Sequence, residues 1–177
     1  MTLKLEREIW EATHKQGVFC CFEVTIGWFG NERVDYLTYD TKGIFRCYEI
    51  KVSKSDFHSK AKKTFLGHYN YYVMPKELYE QVKHEIPSHI GVYIGGRCEK
   101  KAKRQELRTT VQILKDSLIR SLSREVEKQL RSGKLTLIEY LERNIKKSEK
   151  YAEHCEHKYW ELLRKVQDKY GMRWDKD

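Results

Sequence analysis

The stretch RVDYLTYDTKGIFRCYEIKVSKSDF, residues 33–57, decides the fold. Its two runs of aromatic and β-branched residues, 33–40 and 44–52, flank Thr41-Lys42-Gly43, the composition of a turn between antiparallel strands. Ser53 followed three residues later by Asp56 is a capping-box-like helix start. Phe57, Ala61 and Phe65 then share one helical face, so a helix is expected to run to about Gly67. Toward the N-terminus, 18–26 is a further β-forming run, broken by Gly27 and Gly30-Asn31. Before it, Leu5, Ile9 and Ala12 stand at helical spacing ahead of Gly17, which predicts a helix from about Leu3 to Gln16. The three strands in series predict a meander. Toward the C-terminus, Asn70–Met74 reads as a strand, Pro75 opens a helix from Lys76 to about Glu85, and Pro87 closes it before a strand from His89 to Ile94. The expected order, αβββαβαβ, is that of a mixed α/β domain over residues 1–103.

Beyond about Lys103 the pattern changes. Leu107, Val111, Leu114, Leu118, Leu122, Val126 and Leu130 follow one another by threes and fours, and Gly133 is a natural stop. Leu141, Ile145, Ser148, Ala152, Cys155, Tyr159, Leu162 and Val166 then alternate four and three, the seam of a coiled-coil-like helix. Residues 104–177 are therefore expected to form a helical hairpin, suited to homo-oligomerisation or to gripping nucleic acid or a protein partner.

A net charge of +9 suits a polyanionic partner, and because both halves of the chain share it neither is a basic tail. The five cysteines include no CxxC pair, which argues against a zinc ribbon and a disulfide framework and for a reducing compartment. There is no apolar signal core and no stretch of membrane-spanning length, so the expectation is a cytoplasmic protein with no membrane partner.

The chemistry concentrates on the same opening stretch. Glu49 and Lys51, two apart on a strand, point to one face alongside Phe45 and Cys47. Asp35 begins the preceding strand, and an antiparallel hairpin can carry its carboxylate toward that of Glu49. Two carboxylates suit a hard divalent cation, which keeps waters and accepts phosphate oxygens, while a lysine adds fixed positive charge beside an attacked phosphate. Glu-x-Lys alone is weak evidence, since a surface ion pair has the same spacing. The strand–turn–strand–helix setting is what separates this copy from the rest.

With that setting the residues resemble a family. Glu32 to Lys60, and more broadly the chain through Ile94, is similar to the core of PD-(D/E)XK nucleases, in particular the branch of MmcB-like DNA-repair proteins and their phage-borne relatives. The most specific features are Arg33-x-Asp35 and Glu49-Ile50-Lys51 followed by Ser53, Asp56 and Phe57. Val34 stands where the literal signature has proline. The resemblance implies a restriction-endonuclease-like mixed sheet flanked by helices, Mg²⁺ or Mn²⁺ dependence, and hydrolysis of DNA phosphodiesters, as an endonuclease, in repair or phage DNA metabolism. It implies Asp35 and Glu49 as metal ligands, the backbone carbonyl of Ile50 as a third, and Lys51 as the catalytic lysine. Many members add an acid from the first helix; Glu6 is preferred over Glu8, although first-turn acids also serve the helix dipole. Parts of the superfamily keep the fold without catalysis, so a catalytically silent DNA-binding or adaptor module is the alternative. A third option makes the helical hairpin the working part.

Several other residues carry two readings each. Lys54, Lys60, Lys62, Lys63 and His58 crowd the helix after the active strand, where they can contact phosphates; a solvated helix face explains them equally well. Asp56 can reach the site, but capping accounts for it. Glu23, on the first strand, can be a further acid of the site, although an outward-facing strand residue is the preferred reading. Tyr69, Tyr71 and Tyr72 can stack on bases, with sheet packing the expected fate of Tyr71. His154, Cys155 and His157 make a poor zinc set.

Overall fold

A computed structural model describes residues 2–30, 32–59, 63–131 and 137–171. The chain divides into two compact units, Met1–Val126 and Glu127–Asp177. Helix α1 (Thr2–Thr13) leads into β1 (Val18–Thr25), β2 (Arg33–Asp40) and β3 (Phe45–Ile50). Then follow α2 (Lys54–Phe57), β4 (Tyr69–Met74), α3 (Lys76–Val82), β5 (Gly91–Ile94), β6 (Arg97–Lys100) and the helices α4 (Val111–Arg131) and α5 (Leu137–Tyr170). The six strands form one mixed sheet in chain order. Strands β1, β2 and β3 are the expected antiparallel meander, β4 and β5 continue parallel to β3, and β6 turns back on β5.

Alternation along the strands sends side chains to two cores. On one face Tyr36, Tyr48, Ile50, Tyr71 and Val73 pack under α1 through Leu5 and Ile9. On the other, Cys21, Val24, Val34, Leu37, Phe45 and Cys47 pack under α4 through Leu114 and Leu118. Farther along that second face Tyr72, Met74 and Val92 meet Phe57 of α2 and Leu78 and Val82 of α3. Glu49 pairs with Tyr72 in the parallel register, two residues beyond Cys47, so it falls between the two apolar patches of this face.

Three expectations are corrected. The helix after Ser53 is one turn long: it stops at Phe57, and residues 63–66 are not helical; 60–62 lie outside the described residues. Its apolar spacing, 57, 61 and 65, suggests a longer helix because Phe57, at the end of α2, and Phe65, in non-helical chain beyond it, both pack edgewise or tilted on Tyr72. Strand β6 was not expected; Gly95-Gly96 closes a hairpin instead of ending the sheet. The boundary between units falls at Val126 rather than after residue 103, because the start of α4 belongs to the α/β core. Its buried stripe is Leu114, Ser117, Leu118 and Ser121, where small hydroxyl residues allow a close approach, while Val126 and Leu130 stay exposed. The turn expected at Gly133 lies outside the described residues. Helix α5 spans the whole of the expected seam, of which Ile145, Tyr159 and Leu162 are exposed.

If α4 is part of the core, truncating Leu114 to alanine lowers unfolding stability by about 2–5 kcal/mol. Leu130→Ala, at a position 78% exposed, changes it by no more than about 0.5 kcal/mol. Chemical denaturation of the two variants checks this; equal effects would return α4 to a separate hairpin.

Candidate active site

The β2–β3 ladder pairs Tyr36 with Tyr48 and goes no farther. At the next position the Asp35 side chain takes over from the backbone: the Ile50 N–H donates to Asp35 Oδ2 at 2.8 Å. The Lys51 N–H has already turned to β4, donating to the Val73 carbonyl at 2.9 Å. The two strands thus splay where Asp35, Glu49 and Lys51 stand, and a cavity of about 580 Å³ opens. Glu6, Glu23, Glu32, Asp35, Glu49 and Asp56 line it with Arg33, Lys51 and the Ile50 backbone position, an excess of acids in a basic protein.

Glu49 is 3% exposed. One of its oxygens accepts the Thr64 N–H at 3.1 Å, and the other lies 3.7 Å from Lys51 Nζ. Burial, and then the neighbouring Asp35 charge, push its carboxyl up to about 7, against the lowering pull of Thr64 and Lys51. Glu6 is shifted upward too, by burial first and then by Glu23 and Asp35. Lys51, itself buried, is shared between Glu49 and Asp56 Oδ1, the latter at 3.6 Å. Asp56 also receives the Val52 N–H on Oδ2 and donates its own N–H to Ser53 Oγ. Asp56 therefore serves the start of α2, whose N-cap is Ser53, and holds Lys51 at once, both of the roles the sequence allowed it.

Glu23 is exposed, as the sequence preferred, and it also lines the cavity as the further acid the sequence allowed. Its φ of +54° lies in the left-handed region, at a cost of order 1–2 kcal/mol for a residue with a Cβ. This one position breaks the alternation of β1, since Cys21 and Val24 pack in the same cluster. The carboxylate consequently reaches the cavity and pairs with Arg33 at 2.5 Å, while Arg124 of α4 donates to the Glu23 carbonyl at 3.0 Å.

Of the expected phosphate-contacting residues, Lys54 is exposed, Lys63 lies over the Phe57 ring at 4.8 Å, and His58 pairs with Glu85 at 2.6 Å. Lys60 and Lys62 lie outside the described residues. Tyr71 and Tyr72 are buried on opposite faces and cannot stack on a base.

The cavity fits a hard cation through the character of its donors. Two carboxylates converge, and the repulsion that raises Glu49 is what a cation between them would relieve. Among the described residues no set of three His, Cys, Asp or Glu side chains is arranged to ligate one ion, so water, a backbone carbonyl or substrate oxygens would complete the shell. No helix among the described residues is long and apolar enough to cross a membrane.

No protein-family model matches this sequence, and no curated protein does either. A solved structure of a protein of unknown function from Silicibacter pomeroyi is similar in fold, with a TM-score of 0.61 and 17% identity, covering 77% of this chain and 96% of its own. That likeness extends to the fold and carries no activity with it.

The sign of the Glu49 shift has a measurable consequence. Its folded pKa of about 7 lies above the ordinary value, so the folded state holds the proton more tightly. Ionisation then destabilises the fold, with no penalty below pH 4.5, a growing one up to 7 and the full one above. Glu49→Gln, which keeps an acceptor for Thr64, should stabilise the metal-free protein at pH 8 by on the order of 2–3 kcal/mol and leave it unchanged at pH 4.5. Denaturant titrations at the two pH values decide; destabilisation at pH 8 would mean that the Lys51 pair outweighs burial.

Proposed function

We propose that this protein is a divalent-metal-dependent nuclease that hydrolyses DNA phosphodiester bonds, on a restriction-endonuclease-like core of the PD-(D/E)XK type. The observation that carries the reading is the meeting of Asp35, Glu49 and Lys51 in one cavity at the splayed end of β2 and β3. The family resemblance of residues 32–94, the basic charge of the chain and the mixed sheet flanked by helices support it.

Asp35 and Glu49 would hold Mg²⁺ or Mn²⁺, with the Ile50 carbonyl as a further donor and Glu6 at the cavity wall. When bound, such an ion acidifies a water and offsets charge on the phosphate under attack. The remaining roles fall to this chain. Lys51, held between Glu49 and Asp56, keeps its ammonium at the cavity and faces the negative charge that builds on the phosphoryl oxygens. The Ile50 N–H orients Asp35 through the 2.8 Å bond, so the carboxylate does not have to be ordered when a cation arrives. Thr64 does the same for Glu49.

Cleavage of single-stranded, double-stranded and branched DNA in Mg²⁺ or Mn²⁺ tests this. Lys51→Ala and Asp35→Asn should each lower the rate by roughly 10²–10³-fold, the scale of removing one electrostatic stabiliser of a transition state. DNA binding without cleavage of any of these substrates in either metal would replace the enzyme with a catalytically silent binding module.

A further inference from the structure

The hairpin between β1 and β2 ends in Gly27-Trp28-Phe29-Gly30, and its two aromatic rings face solvent: Trp28 is 76% and Phe29 98% exposed. Apolar rings at a loop tip are costly unless something covers them. Yet this tip is firmly held. The Ile26 N–H donates to the Glu32 carbonyl at 2.9 Å across its neck. Gly30 comes so close to the Ile26 carbonyl that a Cβ there would lie 1.7 Å from the oxygen, so no other residue fits. From α4, Ser117 Oγ accepts the Gly27 N–H at 3.0 Å, and Arg120 donates to the carbonyls of Thr25 and Gly27 at 2.8 and 2.6 Å. The Arg120 guanidinium also lies 5.0 Å from the Trp28 ring centroid, and one of its nitrogens is buried without a hydrogen-bond partner among the described residues.

Three features choose an occupant. Gly30, the residue after Phe29, already lines the carboxylate cavity, so the tip stands at the rim of the site. The Arg120 guanidinium backs the Trp28 ring, which suits an anionic strand rather than a cationic one. The area is also small. Two rings offer at most roughly 150–250 Å² each, well below the roughly 800 Å² a stable protein interface needs per partner, but enough to cover the faces of one or two bases.

We propose that Trp28 and Phe29 form a stacking platform for unpaired bases of the strand whose phosphate lies at the carboxylate cavity. Single-stranded or junction-containing DNA is then the substrate class. This inference rests on the phosphodiester reading of that cavity. A fully paired duplex hides its base faces, so the platform gains nothing from it; a frayed or splayed end presents them.

Fluorescence anisotropy with labelled single-stranded, splayed-arm and fully paired oligonucleotides, in Ca²⁺ to slow turnover, tests the platform. The double variant Trp28→Ala/Phe29→Ala should lose at least about tenfold in affinity for the first two, given that a single base–aromatic stack is worth roughly 5- to 150-fold, and less than about twofold for the duplex. Trp28→Phe should retain most of the binding, and all variants should melt as the wild type does, since the rings are exposed. Equal losses on all three oligonucleotides, or none on any, overturn the platform. A changed mass in solution with unchanged DNA affinity would make the tip a protein contact and overturns it too. Wild-type protein that binds none of the oligonucleotides removes the nuclease reading itself, whereas unaltered binding by the tip variant together with metal-dependent cleavage removes the platform alone.

Discussion

A single hydrogen bond, from the Ile50 N–H to the Asp35 carboxylate, sets the geometry of the site. Backbone groups inside a sheet must be paired, and where β2 and β3 separate, an amide would otherwise lose its acceptor at considerable cost. Supplying that acceptor from a side chain lets the ladder end early without an orphan. It also leaves Asp35 half-buried beside Glu49, and β3 free to pair with β4 through Lys51. The strand ends diverge, and the cavity is the space between them.

The electrostatics follow from that divergence. A sheet face that is apolar on both sides of Glu49, with Cys47 before it and Tyr72 beside it, is a poor solvent for an anion. Placing a second carboxylate nearby makes it poorer still. Lys51 and the Thr64 amide offset this only in part, and Glu49 remains well above the usual carboxylate range. Buried carboxylates that repel one another are maintained against stability, and strain points the same way: Glu23 holds a left-handed backbone whose visible result is another carboxylate in the cavity. Stability spent at one place on one kind of group is the physical basis for reading function there.

Most of the scaffold was legible from local pattern. The runs at 18–25, 33–40 and 45–50 are rich in β-formers and are separated by glycine turns, so the meander and the neighbourhood of Asp35, Glu49 and Lys51 follow from residue types alone. The misses have identifiable causes. Phe57, which ends α2, and Phe65, in non-helical chain beyond it, satisfy a helical spacing while both pack on Tyr72, because contacts to a single ring impose no backbone period. The stripe that joins α4 to the sheet runs through Ser117 and Ser121, residues that a hydrophobic pattern overlooks, so the boundary between units was placed too early. Glu23 is exposed and lines the cavity as well, and its left-handed backbone breaks the alternation of β1. The aromatic tip at Trp28 and Phe29 carried no signal in spacing; only its anchoring by Arg120 and its position beside the cavity give it meaning.

In the proposed function, Asp35 and Glu49 are held together to receive a divalent cation. Calorimetric titration of Mn²⁺ into the purified protein addresses that claim without reference to any substrate. One ion per wild-type chain, with binding abolished or weakened at least tenfold in Asp35→Asn and in Glu49→Gln, is the expected result. No Mn²⁺ uptake by the wild type, or uptake that both substitutions leave unchanged, would contradict it.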